Sequence, residues 1–171
     1  MTAVEHDPVD AARDLAQLDG LSALRAIIAG ELPPPPIGVL LGFEIDEVEE
    51  GRVVFAVDPG PQHYNPIGSV HGGLAATLID SATGCAVHST LPAGVRYTTT
   101  DLQVRYVRAI TGDTGRILCE GTVVHRGRTM ATAEARVTAG DRLLAHGTAG
   151  VLILPPAART ASTAPPVSAS G

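Results

Sequence analysis

Hydrophobic residues recur at three- and four-residue spacing in the middle of the chain, from Leu74 onward. This is the period of an amphipathic α-helix, and it predicts a long helix that ends near Ser89. Asp80 is the only acidic or basic residue between His71 and His88, and it falls away from the apolar face. The apolar face itself consists of Leu74, Leu78, Ala82, Cys85 and Ala86.

Alternation of apolar and polar residues, the period of a β-strand, characterises the chain on both sides of this helix. Strands are predicted at 39–49 and 52–58 before the helix, and at 96–108, 115–125, 128–139 and 142–154 after it. Because short turns join the last four strands, we expect them to form an antiparallel meander. A small sheet buries one long apolar helix by wrapping around it, so the sequence predicts an α+β fold.

The two ends of the chain have a different character from this central part. Residues 9–29 have helical periodicity, with Gly20 expected to divide the helix and Gly30 to end it, and four prolines follow at 33–36. We therefore predict an N-terminal helical extension with a proline-rich connector over residues 1–36. The main domain is expected at 37–154. Residues 155–171 are rich in Pro, Ala, Ser and Thr, which predicts a disordered tail.

Composition excludes several classes of function. The chain has 171 residues, of which 44% are hydrophobic and only 3% aromatic, so aliphatic side chains must form the core. All 12 basic residues are arginine, which excludes Schiff-base chemistry and a P-loop because both require lysine. The net charge of −6 and the scarcity of aromatic residues argue against a nucleic-acid partner. The histidines lack the paired spacing of metal ligands, so no metal site is expected.

The loop before the central helix contains the candidate chemistry. Pro66 and Gly68 interrupt regular structure, and the glycines after His71 allow close approach of the backbone. The unpaired N–H groups at a helix start attract negative charge, as on an oxygen that becomes anionic during a reaction. Asp80, flanked on its helix face by glycines, is either a catalytic carboxylate or an ordinary solvated residue.

The segment N-x5-H-G-G-x6-D, from Asn65 to Asp80, resembles the signature of hotdog-fold acyl-CoA thioesterases of the phenylacetic-acid-degradation type, within the 4-hydroxybenzoyl-CoA thioesterase superfamily. The resemblance covers about residues 20–154 and includes the proline-rich lead-in at 32–43, the strand at 97–108 and the turn at 125–128. It implies a hotdog fold: an antiparallel sheet wrapped around one long central helix, here with an extra N-terminal helix.

The resemblance also implies roles for individual residues. Asp80 is expected to be the catalytic carboxylate, either a general base on water or a nucleophile, and the Gly72 N–H to polarise the thioester carbonyl. His71 is expected to hold the loop, although a simple helix cap is an equal alternative. Asn65 either binds the attacking water or forms a turn before proline. Thr98 is the matching position for a hydroxyl that faces the carboxylate across a dimer, with Thr99 and Thr100 as neighbouring alternatives.

In the resembled family the active site lies between two subunits, so a homodimer or a dimer of dimers (a homotetramer) is expected. The CoA phosphates meet basic residues there, and arginine forks match phosphate oxygens. The best candidates are Arg126 and Arg128, followed by Arg105 and Arg108. All four have a surface ion-pairing role as the alternative. CoA belongs to the substrate, so no separate cofactor is implied.

The expected function is hydrolysis of an acyl-CoA to a free acid and CoA. The alternatives are a hotdog hydratase or dehydratase, which needs a catalytic histidine in a different spacing, and a non-catalytic acyl-CoA-binding module, which has no use for Asp80. Cys85 and Cys119 are expected to be buried free thiols, as in a reducing cytoplasm. The absence of a signal-peptide pattern and of an apolar run of about 20 residues agrees with a cytoplasmic protein without membrane contact.

Overall fold

The structure, a computed structural model, describes residues 7–156. The tail expected at 155–171 lies outside the described residues except for its first two prolines. Three helices precede the sheet: α1 (Pro8–Leu15), α2 (Gly20–Ile28) and α3 (Pro36–Leu41). The remaining elements are β1 (Phe43–Glu49), β2 (Arg52–Val57), α4 (Gly72–His88), β3 (Arg96–Tyr106), β4 (Ile117–Arg126), β5 (Met130–Ala139) and β6 (Arg142–Leu154).

Six antiparallel strands form one sheet in the order β1-β2-β4-β5-β6-β3, and the sheet wraps around α4. Helix α4 is buried over most of its surface: ten of its 17 residues are buried. The predicted alanine face of β5 packs on this helix side of the sheet, with Ala133 and Val137 fully buried. The α+β hotdog architecture expected from the sequence is confirmed.

The expected meander is only partly correct. Strands β4, β5 and β6 are consecutive neighbours, but β3 pairs with β6 at the far edge of the sheet and does not touch β4. Strand β4 pairs instead with β2, so the chain crosses over between β3 and β4. Local alternation identifies a strand but contains no information on which distant strand it pairs with, and this is why the prediction failed for β3.

The N-terminal region also differs from the prediction. The first predicted strand begins at Phe43 rather than residue 39, because the preceding residues form α3. Pro36 lies at the start of this helix, where its missing N–H costs nothing, and Gly42 ends it in the left-handed conformation (φ 67°). Gly20, expected to divide one helix, begins α2, and its N–H donates to the carbonyl of Leu91 at 2.9 Å.

Candidate functional site

The loop between β2 and α4 is held by two histidines. His63 is buried; its Nδ1 accepts from the Gly60 N–H at 3.0 Å, so Nε2 donates to the carbonyl of Leu41 at 2.9 Å. The backbone N–H of His71 donates to the carbonyl of His63 at 2.7 Å. The side chain of His71 caps α4, because its Nδ1 accepts from the Gly73 N–H at 2.8 Å. The helix-capping alternative for His71 is therefore present in the structure.

Asn65 forms a turn within this loop. Its Oδ1 accepts from the Ile67 N–H at 3.0 Å, its Nδ2 donates to the Ser69 hydroxyl at 3.2 Å, and its backbone N–H donates to the Ser69 carbonyl at 2.8 Å. Asx turns of this kind close short loops. In this arrangement Asn65 positions the segment that leads into the helix.

Gly72 is the first residue of α4, and its N–H has no acceptor among residues 7–156. Its carbonyl accepts from the Tyr106 hydroxyl at 3.2 Å, and a Cβ at this position would lie 3.1 Å from the Tyr106 ring. The absence of a side chain thus allows the ring of β3 to close over the helix start. The unpaired N–H, at the positive end of the helix, is suited to an oxygen with negative charge.

Asp80 lies two turns further along α4 and is half-buried. Its Oδ1 accepts from the Thr99 hydroxyl of β3 at 2.8 Å, within the same chain. Thr98 lies on the opposite face of the strand and is exposed. Within one chain it is Thr99, one of the two neighbouring alternatives, whose hydroxyl meets Asp80. An interaction of Thr98 with another subunit stays a prediction.

A carboxylate and an oxyanion donor must both reach one carbonyl group if they act together. Gly72 and Asp80 are eight residues apart on one helix, which corresponds to about 12 Å along its axis. Within one chain these two groups therefore cannot contact the same thioester.

Three of the expected site residues surround one cavity at the start of α4. Asn65, Gly72 and Arg108 line this space of about 290 Å³, together with Tyr106 and Ser69. Asp80 does not line it. The structure thus separates the expected site into a loop half, which contains Asn65, His71 and Gly72, and a carboxylate half, which contains Asp80 and Thr99.

The four candidate arginines fall into two groups. Across the sheet, Thr99 pairs with Val151, Val151 with Ala131, and Ala131 with Arg126, so Arg126 lies three strands, or about 14 Å, from Thr99. Arg126 and Arg128 are exposed and form no ion pair within the described residues. They lie at the end of the sheet that holds Asp80.

Arg105 and Arg108 lie towards the other end of β3. Arg105 is six residues, or about 20 Å, from Thr99, and it pairs across the sheet with exposed His146. Arg108 donates through Nη1 to the carbonyl of Leu143 at 2.6 Å and lines the loop half. The four arginines, close in sequence, do not form one cluster within the chain.

The side chains beyond Asp80 along α4 are uncharged. Burial raises the pKa of the Cys85 thiol to about 12, with a smaller opposing contribution from its hydrogen bond with Tyr97. Burial also raises the pKa of Tyr97 well above its ordinary value and lowers the pKa of His88, against a weaker effect of Asp19. Both cysteines are free thiols, and burial raises the pKa of Cys119 to about 12 as well. Neither thiol is a nucleophile at neutral pH.

No three His, Cys, Asp or Glu side chains within the described range come close enough together to hold a metal ion. None of the described helices combines the length and the hydrophobicity needed to cross a membrane.

A sheet wrapped around a helix that has a free N–H at Gly72 and a half-buried carboxylate at Asp80 is the arrangement expected above for a hotdog thioesterase. Comparison with known proteins agrees: the profile of the thioesterase superfamily matches residues 67–146. Human acyl-coenzyme A thioesterase 13 is 31% identical over 100 residues, covering 57% of this chain and 69% of the human protein. A Halobacterium salinarum protein, provisionally named an esterase, is 37% identical over 102 residues, covering 57% of this chain and 66% of its own length.

Solved structures show the same fold over a larger part of the chain. A thioesterase family protein from Silicibacter pomeroyi is 27% identical with a TM-score of 0.69, covering 77% of this chain and 98% of that one. A mutant of the phenylacetic acid degradation protein from Thermus thermophilus is 25% identical with a TM-score of 0.63, covering 68% and 97%. The chain belongs to the thioesterase superfamily. The expected family and its class of enzyme, the thioester hydrolases, are thereby confirmed at the family level.

The sequence missed two aromatic residues that shape the site. Tyr106 holds the helix start, and Tyr97 packs over Gly84 and against His88, with ring centroids 5.2 Å apart. Both lie at strand positions where an aromatic side chain is common. The only signal in the sequence is that aromatics are scarce, so each of the three tyrosines has a higher than usual chance of a specific role.

Proposed function

We propose that the protein hydrolyses the thioester of an acyl-CoA to the free acid and CoA. The observation that carries this proposal is the half-buried Asp80, oriented by the Thr99 hydroxyl at 2.8 Å on the glycine-lined face of α4. A solvated surface carboxylate needs no such partner. The unpaired Gly72 N–H supplies the complementary group, a donor for the oxygen of the thioester carbonyl.

The proposal includes a homodimer, because one chain holds these two groups about 12 Å apart. Strand β3 is one of the two edges of the sheet; it exposes Leu102 and Tyr106, and the next residue, Val107, is exposed as well. An exposed edge of 11 residues is a ready surface for pairing with a second copy. Antiparallel pairing about the middle of β3 would bring the Tyr106 end of one copy, and with it Gly72, beside the Thr99 end and Asp80 of the other.

The chemistry uses the same atoms by either of two routes. As a general base, Asp80 removes a proton from water, the hydroxide attacks the carbonyl carbon, and the C–S bond breaks to release CoA. As a nucleophile, the carboxylate attacks the carbonyl carbon, the C–S bond breaks to release CoA, and water then hydrolyses the resulting anhydride to the free acid and the Asp80 carboxylate. A single-turnover reaction in heavy-oxygen water tests the second route, because label in the Asp80 side chain shows that an anhydride formed and that water opened it at the Asp80 carbonyl carbon.

Arg126 and Arg128 are proposed to bind the CoA phosphates, since they are unpaired cations at the Asp80 end of the sheet. In the proposed dimer Arg108 of the loop half of one copy approaches the same region. The two free thiols agree with a reducing, cytoplasmic location.

Thiol release from a panel of acyl-CoAs tests the proposal, with the wild-type protein and Asp80→Asn measured side by side. Asn has nearly the shape of Asp but cannot accept the proton, so kcat should fall by about 10²- to 10⁴-fold. Melting temperature and the binding of acyl-CoA by titration calorimetry should remain close to those of the wild type. Turnover by Asp80→Asn at the wild-type rate would exclude the catalytic role, and binding without turnover by the wild type would identify a non-catalytic module.

A further inference from the structure

A second cavity lies between the N-terminal helices and the C-terminal half of α4. We call it the helix cavity: its volume is about 410 Å³, and its lining includes Leu15, Ala16, Leu24, Phe55, His88 and Tyr97. Cavities of about 300–1,000 Å³ with mostly apolar walls are typical of sites for small organic ligands.

Helices α1 and α2, which cover the helix cavity, lie outside the part of the chain that matches the thioesterase superfamily, since that match begins at residue 67. Helix α2 is fixed in place by Gly20, which lies directly against the His88 carbonyl, where a Cβ could not be accommodated. The Asp19 side chain caps the same helix through the Ser22 N–H at 2.9 Å. The cover of the cavity is therefore an ordered part of the fold.

Apart from Arg96 at its edge, the walls of the helix cavity are uncharged at neutral pH. His88 is buried, and its lowered pKa keeps the imidazole neutral. The raised pKa values of Cys85 and Tyr97 keep both protonated. Arg96, at the edge, is exposed, and its Nη2 donates to the Pro155 carbonyl at 3.4 Å. Such a surface suits an alkyl group better than a carboxylate or a phosphate.

The helix cavity lies next to the carboxylate half of the site, along the same face of α4, and Tyr97 and His88 line it while Asp80 does not. Asp80, Gly84 and His88 follow one another at four-residue spacing along one face of α4. On the facing strand, Thr99 bonds Asp80 while Tyr97 packs over Gly84, so the Tyr97 ring stands between the carboxylate and the cavity. An acyl chain that runs from Asp80 to the helix cavity must pass this ring, and a narrow alkyl chain needs a smaller opening there than an aromatic group.

We propose that the helix cavity receives the distal part of an aliphatic acyl chain, so that the enzyme favours medium-chain acyl-CoAs. The inference rests on the proposed thioesterase function. Asp80 and His88 are two helical turns, or about 12 Å, apart. With C–C bonds of about 1.5 Å, an extended chain of roughly eight to ten carbons spans this distance.

Filling the helix cavity tests the proposal. Ala16 and Ala29 are the C-cap residues of α1 and α2, but only Ala16 lines the helix cavity. Wild-type kcat/KM should rise from acetyl-CoA to about decanoyl-CoA, by up to about fourfold per buried methylene. Ala16→Phe should lower the value for decanoyl-CoA at least tenfold and leave butanoyl-CoA within twofold, while the matched control Ala29→Phe should change neither.

Failure of this inference and failure of the proposed function give different results. If no acyl-CoA is hydrolysed, the proposed function is wrong, and titration of decanoyl-CoA and butanoyl-CoA into the protein still shows whether the cavity selects chain length. If acyl-CoAs are hydrolysed at rates independent of chain length, or if Ala16→Phe affects both substrates equally while its melting temperature is unchanged, the cavity does not hold the chain. Ala12→Phe, on the same lining, replaces Ala16→Phe if the latter does not fold.

Discussion

The side chain of Asp80 is oriented by one hydroxyl, that of Thr99, and this contact joins the central helix to the edge strand. Hydrogen bonds to a charged group contribute about 1.5–3 kcal/mol, and this one fixes the direction of the carboxylate that the proposed reaction needs. Thr99 is therefore proposed as a positioning residue, since it acts on the substrate through Asp80.

Thr99→Val and Thr98→Val form a matched pair, because each replaces one hydroxyl by a methyl group in the same strand. Loss of the Thr99 hydroxyl should lower kcat about tenfold with little change in KM, while Thr98→Val should have almost no effect. Steady-state kinetics on the acyl-CoA panel measure both. A loss confined to Thr98→Val would instead support the hydroxyl expected across the subunit interface and remove Thr99 from the site.

The sequence indicates which polar residues belong to the candidate site, but it does not indicate how they are arranged in space. Asp80 stands out because it is the only charged group on a long helix, and His71 and Gly72 because they begin it. Thr99 could not be separated from Thr98 and Thr100, since an irregularity in the β3–β6 register between Thr99 and Asp101 changes which face each residue takes. Such a bulge depends on pairing with a distant strand, which the local pattern does not contain.

His88 gives the fold a pH dependence whose sign follows from its lowered pKa. In the unfolded chain it titrates near 6.5, whereas burial keeps it neutral in the folded protein to lower pH. Below about pH 6.5 the unfolded state takes up a proton that the folded state does not, so stability falls as pH falls, by at most about 1.4 kcal/mol per pH unit. Well above pH 6.5, where His88 is neutral in both the folded and the unfolded state, this loss of stability is absent.

Chemical denaturation between about pH 7.5 and pH 5.5 should therefore show a smaller loss of stability in His88→Phe than in the wild type. His146→Phe is the control, because this histidine is exposed on the outer face of the sheet. If His88→Phe loses as much stability over this range as the wild type does, His88 is not the group responsible.

At the scale of elements, the local pattern located five of the six strands to within about three residues and placed the central helix correctly. It missed α3, although proline at its start and glycine just after its end are the usual signals. The four consecutive prolines at 33–36 led instead to the prediction of an extended connector. It also misplaced β3, whose position beside β6 depends on contacts far apart in sequence.

The turn between β4 and β5 carries the prediction for CoA binding. Arg126→Ala combined with Arg128→Ala should raise KM for acyl-CoA at least about tenfold and change kcat less, because phosphate contacts are nearly equal in the ground and transition states. The increase in KM should be smaller at high salt, because salt screens the attraction between exposed charges. The control is Arg25→Ala with Arg136→Ala, which removes the same charge from two other exposed positions. Equal effects of the two pairs would indicate a general effect of charge rather than a binding site.

At the scale of the whole molecule, the separation of Gly72 from Asp80 is the main reason to expect two copies. Each chain has both halves of a site, but at positions about 12 Å apart on one rigid helix. The proposed pairing along the β3 edge would join the loop half of one copy to the carboxylate half of the other, and it would also cover the exposed edge. Symmetry then gives two equivalent sites per dimer.

Removal of the Gly72 N–H tests the oxyanion donor on its own. Gly72 occupies the first position of α4, where proline is best tolerated, and His71 before it has φ −61° and ψ 131°, which proline also permits. Gly72→Pro should therefore remove the donor and lower kcat about 10²- to 10³-fold. Gly72→Ala keeps the N–H but adds a Cβ against Tyr106, so it measures the steric part of the effect.

Mixing the Gly72→Pro and Asp80→Asn proteins, each nearly inactive alone, then tests the shared site. In a mixed dimer, one site combines the intact Gly72 of one chain with the intact Asp80 of the other. The second site of the same dimer carries both substitutions. Random exchange should restore about a quarter of wild-type activity, since half of the dimers are mixed and each has one intact site of two. Light scattering on the same samples verifies the dimer. If the mixture, with exchange demonstrated by differently tagged chains, stays as inactive as its components, the two groups do not meet across subunits.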